Sequence, residues 1–256
     1  MKFIRLLLLG CALLFSLAVH AETMTIAAAA DLKFAMDDLI HNFKSTHPND
    51  EIKVVYGSSG NFTTQITQGA PYDVFFSADI GFPRKLAQMK MTASPVIPYA
   101  MGRIVLWSAT RNASKMSLSS LTDPSITRIA IANPKHAPYG QRAEEALRSA
   151  GLWDKVEPKL VYGENIAQTA QFVQTGNAQV GIIALSLAVN PQLASQGGYW
   201  LIPDSLHSPM EQAYVITSHG AENPLAHQFV AYMNSTPARA IMTQYGFVLP
   251  SVATTK

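Results

Sequence analysis

Small or polar residues recur where predicted strands run into predicted helices. In the segment YGSSGNF, residues 56–62, two serines separate a run of β-forming residues from a helical pattern. The first N–H groups of a helix lack intrahelical acceptors and carry a partial positive charge, so they bind anions without Lys or Arg. Four residues at such junctions are candidates to hold a ligand: Asp31, Ser59, Tyr139 and Ile166.

Each of these junctions follows a predicted strand. Because ligands of open α/β sheets bind outside the carboxyl ends of the strands, the four residues could face one site. Asp, Ser and Asn before a helix are also ordinary N-caps, and capping alone accounts for any single junction. The residues therefore favour an anion-binding site, provided that the fold brings the four junctions together.

Catalytic and metal-binding patterns are weak in comparison. Ser58 and Ser59 lack the G-x-S-x-G context of a hydrolase nucleophile. The histidines show no HExxH or other ligand spacing, which predicts no metal cation site. His136 lies in a junction loop and is expected to orient that loop by hydrogen bonding. A hydrolase without a metal stays open as an alternative.

The elements that must position these residues alternate along the chain. Period-2 and apolar runs predict strands at 23–30, 51–57, 72–79, 103–109, 128–134, 159–163, 180–186, 199–204 and 212–218. Helical spacing predicts helices at 32–43, 62–69, 139–151, 166–175, 224–234 and 237–245. This alternation predicts an α/β fold with mainly parallel sheets flanked by helices.

The number of βα units is too large for one compact sheet, so two lobes with a ligand cleft between them are predicted. We expect residues 22–102 to form the first part of lobe 1 and residues 103–214 to form lobe 2. Residues 215–256 then return to lobe 1. The two crossings predict a hinge near 101–104 and 213–215.

The N-terminal segment is typical of a secretory signal peptide. Lys2 and Arg5 precede an apolar run, and VHA predicts cleavage after Ala21, so residues 1–21 are excluded from the fold. The segment LLGC, which ends at Cys11, leaves lipoprotein processing as an alternative. Removal of residues 1–21 would lower the Lys and Arg count from 19 to 17, equal to the 17 Asp and Glu. Such a balance does not favour nucleic acid as a partner.

Several motifs together point to a family. They are AAADLKFAM at 28–36, GSSG at 57–60, GAPYDVFFSAD at 69–79, NPKHAPYGQRAEEAL at 133–147, VGIIA at 180–184 and YGF at 245–247. Over residues 24–250 the chain resembles the periplasmic molybdate-binding proteins of ABC importers. The resemblance implies the type II periplasmic binding fold, which holds a tetrahedral oxyanion in the cleft by hydroxyls and backbone amides.

The resemblance carries over unevenly to the candidate residues. Ser59 matches the serine of the second loop, and Ile166 stands where the family usually has a valine that binds through its backbone N–H. Tyr139 replaces a common alanine, while Ala184 replaces a common tyrosine. Our hypothesis is that the Tyr139 hydroxyl supplies the ligand contact missing at position 184. The alternative is that Tyr139 only packs against its neighbours.

Asp31 replaces the usual serine of the first loop, and its carboxylate would repel a dianion at close range. Two arrangements resolve this conflict. The side chain could turn inward to cap the helix at 32–43, leaving the backbone N–H for the ligand. Alternatively, the carboxylate could accept a hydrogen bond from a protonated oxyanion such as hydrogen phosphate.

The resemblance implies a periplasmic, monomeric receptor that captures molybdate, and also tungstate, and delivers it to the membrane permease of an ABC importer. It implies no enzymatic activity and no cofactor, because the oxyanion is the transported ligand. Receptors for sulfate or phosphate are the alternatives within the same fold.

Overall fold

A computed structural model describes residues 22–251 of the chain. The predicted signal peptide, its cleavage site after Ala21 and Cys11 lie outside the described residues. The part of the chain that the structure describes contains ten strands: β1 Thr23–Ala29, β2 Glu51–Gly57, β3 Val74–Ser77, β4 Ile97–Gly102, β5 Ile104–Ser108, β6 Ile129–Ala132, β7 Leu160–Gly163, β8 Val180–Ala184, β9 Gly198–Leu201 and β10 Met210–Ile216.

The helices mostly follow the strands, and a 3₁₀ turn at Ala30–Leu32 leads into the first of them. They are α1 Lys33–Phe43, α2 Ser59–Thr67, α3 Gly81–Gln88, α4 Pro138–Ser149, α5 Trp153–Val156, α6 Ile166–Gln174, α7 Leu185–Ala188, α8 Pro191–Ala194, α9 Pro224–Tyr232 and α10 Thr236–Gln244. Within residues 22–251, none of these helices is long and apolar enough to cross a membrane.

The strands form two five-stranded sheets with the same plan. Their orders are β2-β1-β3-β10-β4 and β7-β6-β8-β5-β9. In each sheet four strands run in one direction, and one strand, β10 or β5, is antiparallel to both of its neighbours. The prediction of two α/β lobes with mainly parallel sheets is confirmed.

The reversed strands are the first strands after the chain changes lobe. The first crossing is at Arg103, between β4 and β5, and the second is the segment 202–209, between β9 and β10. The predicted boundary after residue 214 and the predicted hinge at 213–215 instead fall inside β10. There Ala213 pairs with Ser77 of β3, and Tyr214 pairs with Ile97 of β4. A strand paired on both sides is held rigidly, so the return to lobe 1 begins before Met210.

Two elements of lobe 1, β4 and α3, have no counterpart in the sequence prediction. Both contain a proline. Pro98 is tolerated because β4 is an edge strand, where a missing N–H costs no ladder bond. Pro83 lies in the first turn of α3, where the N–H has no intrahelical acceptor in any case.

Each lobe has its own apolar core. The largest side chains that are fully buried include Trp107 on β5 and, in lobe 1, Phe76, Tyr214 and Phe229. In lobe 1, Phe76 contacts Tyr214 with ring centroids 5.1 Å apart and Phe229 at 6.2 Å. These two cores make each lobe a rigid platform for the loops that lie between them.

Candidate anion-binding site

The four candidate residues line one small cavity between the lobes. Asp31, Ser59, Tyr139 and Ile166 are all buried and all contribute to its wall. The rest of the wall is made mainly of small residues that bring the backbone close: Ala29, Ala30, Gly57, Ser58, Ala78, Ala137 and Pro138. Among the described residues, no Lys or Arg lines this cavity, so any attraction for an anion must come from N–H groups and hydroxyls.

The helix starts supply these N–H groups. Helices α2 and α6 begin at Ser59 and Ile166, and Tyr139 is the second residue of α4. N–H groups in the first turn have no intrahelical acceptor. Within residues 22–251, no other backbone or side-chain acceptor is assigned to the N–H of these three residues. They are therefore available to a ligand in the cavity.

Ser59 adds a hydroxyl to the backbone donors. Its side chain is fully buried, and its Oγ accepts a hydrogen bond from the Ala78 N–H at 3.0 Å. Ser58, not Ser59, is the N-cap residue of α2, and no side-chain cap bond is present there. Since the Ala78 bond uses Ser59 as an acceptor, the hydroxyl proton remains free to be donated toward the cavity.

The Asp31 carboxyl belongs to a buried network at the back of the cavity. Its Oδ2 accepts hydrogen bonds from the Tyr139 hydroxyl at 3.0 Å and from Gln212 Nε2 at 2.8 Å. Gln212 Oε1 in turn accepts from the Tyr99 hydroxyl at 2.7 Å. Burial raises the pKa of Asp31 to about 7, against the opposing effect of the hydrogen bonds from Gln212 and Tyr139.

The expectation that Asp31 caps the first helix is not met. Asp31 lies within the 3₁₀ turn that precedes α1, and α1 has no side-chain cap bond. The carboxyl is instead directed toward Tyr139 and Gln212, which both donate to its Oδ2. Whether the backbone or the carboxyl of Asp31 contacts a ligand is left as a prediction.

Tyr139 connects the two lobes. Its ring is buried in lobe 2, its hydroxyl donates to Asp31 in lobe 1, and burial raises its pKa well above the ordinary value. The hydroxyl thus does more than pack against Pro138. Ala184, at the end of β8, is fully buried and is not part of the cavity wall. A ligand contact moved from position 184 to Tyr139 stays a prediction.

Sequence reasoning missed Gln212, which holds Asp31 and Tyr139 in place. Gln212 is fully buried on β10, and its Nε2 lies 3.1 Å from the Tyr139 hydroxyl oxygen. The available signal was an uncharged polar residue next to the apolar run Ala213–Ile216 of the same strand. Ser186 was missed as well, and its hydroxyl donates to the Asp31 carbonyl oxygen at 2.7 Å across the cleft.

Further contacts hold the lobes together around the cavity. The Gly60 N–H donates to the carbonyl oxygen of His136 at 2.9 Å. Arg142 Nη2 of lobe 2 lies 2.8 Å from Asp79 Oδ2 of lobe 1, and Arg142 Nη1 lies 2.8 Å from Glu145 Oε1. The structure therefore represents a closed arrangement of the lobes.

The closest approach to a catalytic arrangement involves Ser58. Its Oγ lies 2.9 Å from Nδ1 of His136, and His136 Nε2 lies 3.5 Å from a Glu164 carboxylate that is mostly exposed. The two partners come from different lobes, so the Ser58–His136 contact exists only when the lobes meet. In the part of the chain that the structure describes, no three His, Cys, Asp or Glu side chains cluster to hold a metal ion.

Two matched lobes, a closed cleft and converging helix N-termini define a binding protein for a small solute. The model of the bacterial extracellular solute-binding proteins matches residues 24–248, and the chain belongs to that family.

Two relatives and one solved structure are also similar to this chain. The molybdate-binding protein ModA of Azotobacter vinelandii is 36% identical over 242 residues, which cover 94% of this chain and 95% of the relative. ModA of Rhodobacter capsulatus is 37% identical over 198 residues, 77% of each chain. The solved periplasmic molybdate-binding protein of Azotobacter vinelandii has a TM-score of 0.83 and 31% identity, covering 89% of this chain and all of that one.

Proposed function

We propose that this protein is a solute-binding protein that captures molybdate and delivers it to the permease of an ABC importer. The observation that carries the proposal is the convergence of three helix starts and the Ser59 hydroxyl on one buried cavity whose wall has no cationic side chain. The likeness to two ModA proteins and to a molybdate-binding structure supports molybdate as the ligand.

Capture requires the two lobes to close over the anion. Fixed N–H groups then replace the hydration shell of the oxyanion, and the partial positive charge of each helix N-terminus offsets its negative charge. Closure also forms the bonds between the lobes, such as Gly60 to His136. No bond of the ligand is broken, so the role needs no cofactor and no catalytic group.

Several finer features belong to the same proposal. Tungstate should bind as molybdate does, because the two oxyanions have the same charge and nearly the same size. The protein should act as a monomer in the periplasm after cleavage behind Ala21. The closed form should be the one that the permease recognises.

The test is a comparison of oxyanions by titration calorimetry. Amides held by rigid helix starts cannot shrink around a smaller anion, so molybdate and tungstate should bind at least a hundredfold more tightly than sulfate, about 2.7 kcal/mol. Sulfate or phosphate binding within tenfold of molybdate would contradict the proposal and favour a receptor for that anion. A hydrolase would instead release nitrophenol from p-nitrophenyl esters, and we expect no release above that of a Ser58→Ala control.

A further inference from the structure

One oxygen of a buried carboxyl at the cavity has no partner. Asp31 is 1% exposed, and among the described residues no donor is assigned to its Oδ1. A buried polar atom without a hydrogen-bond partner destabilises the closed site. The penalty is removed when a ligand or a bound proton lets the atom form a hydrogen bond. Since Asp31 lines the cavity, that ligand would be the oxyanion itself.

The side-chain donors around Asp31 all bond to its other oxygen, Oδ2. The backbone N–H groups of Asp31 and Leu32 also interact with the carboxyl and oppose the rise of its pKa. The Tyr99 hydroxyl donates to Gln212 Oε1, which turns the Gln212 Nε2 toward the site. The two N–H groups of Nε2 are directed at Asp31 Oδ2 and at the Tyr139 oxygen, and the Tyr139 hydroxyl donates to Oδ2. No donor of this network remains for Oδ1.

Within residues 22–251, the surroundings offer no positive charge to an ionised Asp31. The groups that face it are Tyr99 from β4, Gln212 from β10, Tyr139 from α4 and, at its backbone oxygen, Ser186 from α7. Only the two tyrosines among them are titratable, and burial raises the pKa of each well above the ordinary value. A carboxylate here would face a dianion with no counter-charge, which is the most costly arrangement in a site closed to water.

We propose that Asp31 is protonated when the cleft closes on the oxyanion, and that its Oδ1–H donates a hydrogen bond to the ligand. The inference rests on the proposed oxyanion-binding function and assigns one of its contacts. Protonation makes Asp31 a hydrogen-bond donor, like the N–H groups and the Ser59 hydroxyl of the cavity. It also removes the repulsion between an ionised carboxylate and the dianion.

The proton comes from solvent, so binding and pH are linked. In the closed arrangement without ligand, burial raises the pKa of Asp31 to about 7, and a bound dianion raises it further. Below the pKa of the free protein the proton is already present and affinity is at its maximum. Above it, each binding event takes up one proton, and affinity falls up to tenfold for each pH unit. Molybdate remains a dianion across this range, so the proton that is taken up belongs to the protein.

The experiment is titration of the full mature protein with sodium molybdate from pH 6 to pH 9. Calorimetry at pH 8 in two buffers of different ionisation enthalpy counts the protons exchanged. We expect uptake of close to one proton per molybdate at pH 8, and an affinity at pH 9 at least tenfold lower than at pH 7. Infrared difference spectra at pH 8 should show the C=O stretch of a protonated carboxyl on addition of molybdate.

The matched variant is Asp31→Asn. Its carbonyl oxygen can accept from Gln212 and Tyr139, while its amide presents a permanent donor at the position of Oδ1. We expect this variant to bind more tightly than the unmodified protein at pH 9, with no proton uptake and no infrared carboxyl band. His136→Gln removes an ionisable side chain that contacts Ser58 across the cleft, and this variant should retain the proton uptake.

Several results would overturn the assignment. A molybdate affinity that does not change from pH 6 to pH 9, without proton uptake, refutes the role of Asp31 and leaves the proposed function standing. Proton uptake that persists in Asp31→Asn or disappears in His136→Gln refutes it equally. Tighter binding of hydrogen phosphate without proton uptake would show that the ligand carries the proton and Asp31 accepts it. Absence of molybdate binding at every pH refutes the proposed function itself.

Discussion

At the scale of single residues, Ser59 makes one bond to the protein while keeping a proton for the ligand. Its Oγ accepts from the Ala78 N–H, which lies in lobe 1 after β3. Because the two roles use different parts of the hydroxyl, both are compatible in the closed site. Loss of the hydroxyl must therefore be visible in stability as well as in binding.

We predict that Ser59→Ala weakens molybdate binding by about 1.5–3 kcal/mol, the range for a hydrogen bond to a charged group. The free energy of unfolding without ligand should also fall, by about 1–3 kcal/mol, because the buried Ala78 N–H loses its acceptor. Calorimetry and urea unfolding measure the two effects separately.

Thr63→Ala is the matched control for this prediction. The Thr63 hydroxyl is buried in the same helix and donates to the Ser59 carbonyl oxygen at 2.8 Å, but it does not line the cavity. This variant should lose stability and keep its molybdate affinity within about twofold. An equal loss of affinity in both variants would mean that Ser59 acts only by supporting α2.

At the scale of elements, the start of α2 both lines the cavity and contacts the opposite lobe. Its first turn provides donors for the cavity, and its Gly60 N–H donates to the His136 carbonyl of the opposite lobe. A Cβ at position 60 would lie 2.6 Å from that carbonyl oxygen. The absence of a side chain at Gly60 is thus what allows the two lobes to meet.

We predict opposite effects of Gly60→Ala on stability and on binding. Alanine is favoured over glycine in a helix by about 1 kcal/mol, so unfolding of the unliganded protein should not become easier. The added methyl meets backbone that cannot move aside, so closure and molybdate affinity should suffer by at least about tenfold, 1.4 kcal/mol.

Thr64→Ala, at an exposed position of the same helix, separates helix propensity from closure. It should leave affinity unchanged, because the threonine side chain is exposed and its hydroxyl donates to the Gly60 carbonyl oxygen of the same helix, away from His136. Molybdate binding by Gly60→Ala at the affinity of the unmodified protein would show that the lobes close without the contact between α2 and His136.

At the scale of the whole molecule, affinity depends on the balance between open and closed arrangements of the lobes. The chain crosses between them twice, at Arg103 and at 202–209, so closure can occur with little change inside either sheet. The Arg142–Asp79 pair is a charged contact that spans the cleft, and its side chains are 10% and 22% exposed. Removal of one partner of such a largely buried pair leaves the other charge unpaired in the closed form, which is costly.

We predict that Asp79→Asn speeds molybdate release and lowers affinity by about 1.5–3 kcal/mol, because a charged hydrogen bond is lost only in the closed form. The Asn side chain still accepts from the Gly81 N–H, as Asp79 Oδ1 does at 2.8 Å, so the fold of lobe 1 is retained. Stopped-flow fluorescence measures release, and small-angle scattering measures the shift toward an open form.

Glu144→Gln is the control, since the Arg148–Glu144 pair lies within α4 and its Arg148 side chain is about half exposed. This variant should change neither release nor affinity measurably. Equal effects of the two substitutions would contradict a role of the Arg142–Asp79 pair in closure.

Features that depend on neighbours along the chain were predictable. The alternation of apolar runs predicted the α/β lobes, and the residues that follow the strands identified Asp31, Ser59, Tyr139 and Ile166, which the structure brings to one cavity. Local patterns suffice for this because strand ends and helix starts are set by short-range periodicity and backbone geometry.

Contacts between residues that are far apart in the sequence were determined by the tertiary structure. Asp31 meets Tyr139 and Gln212, which are 108 and 181 positions away, and no local pattern relates such residues. The second crossing was misplaced for the same reason, because the pairing of β10 with β3 and β4 depends on strands far from it in sequence. The state of the Asp31 carboxyl depends on burial and on side-chain donors from two elements, α4 and β10, and these exist together only once both lobes have formed and closed.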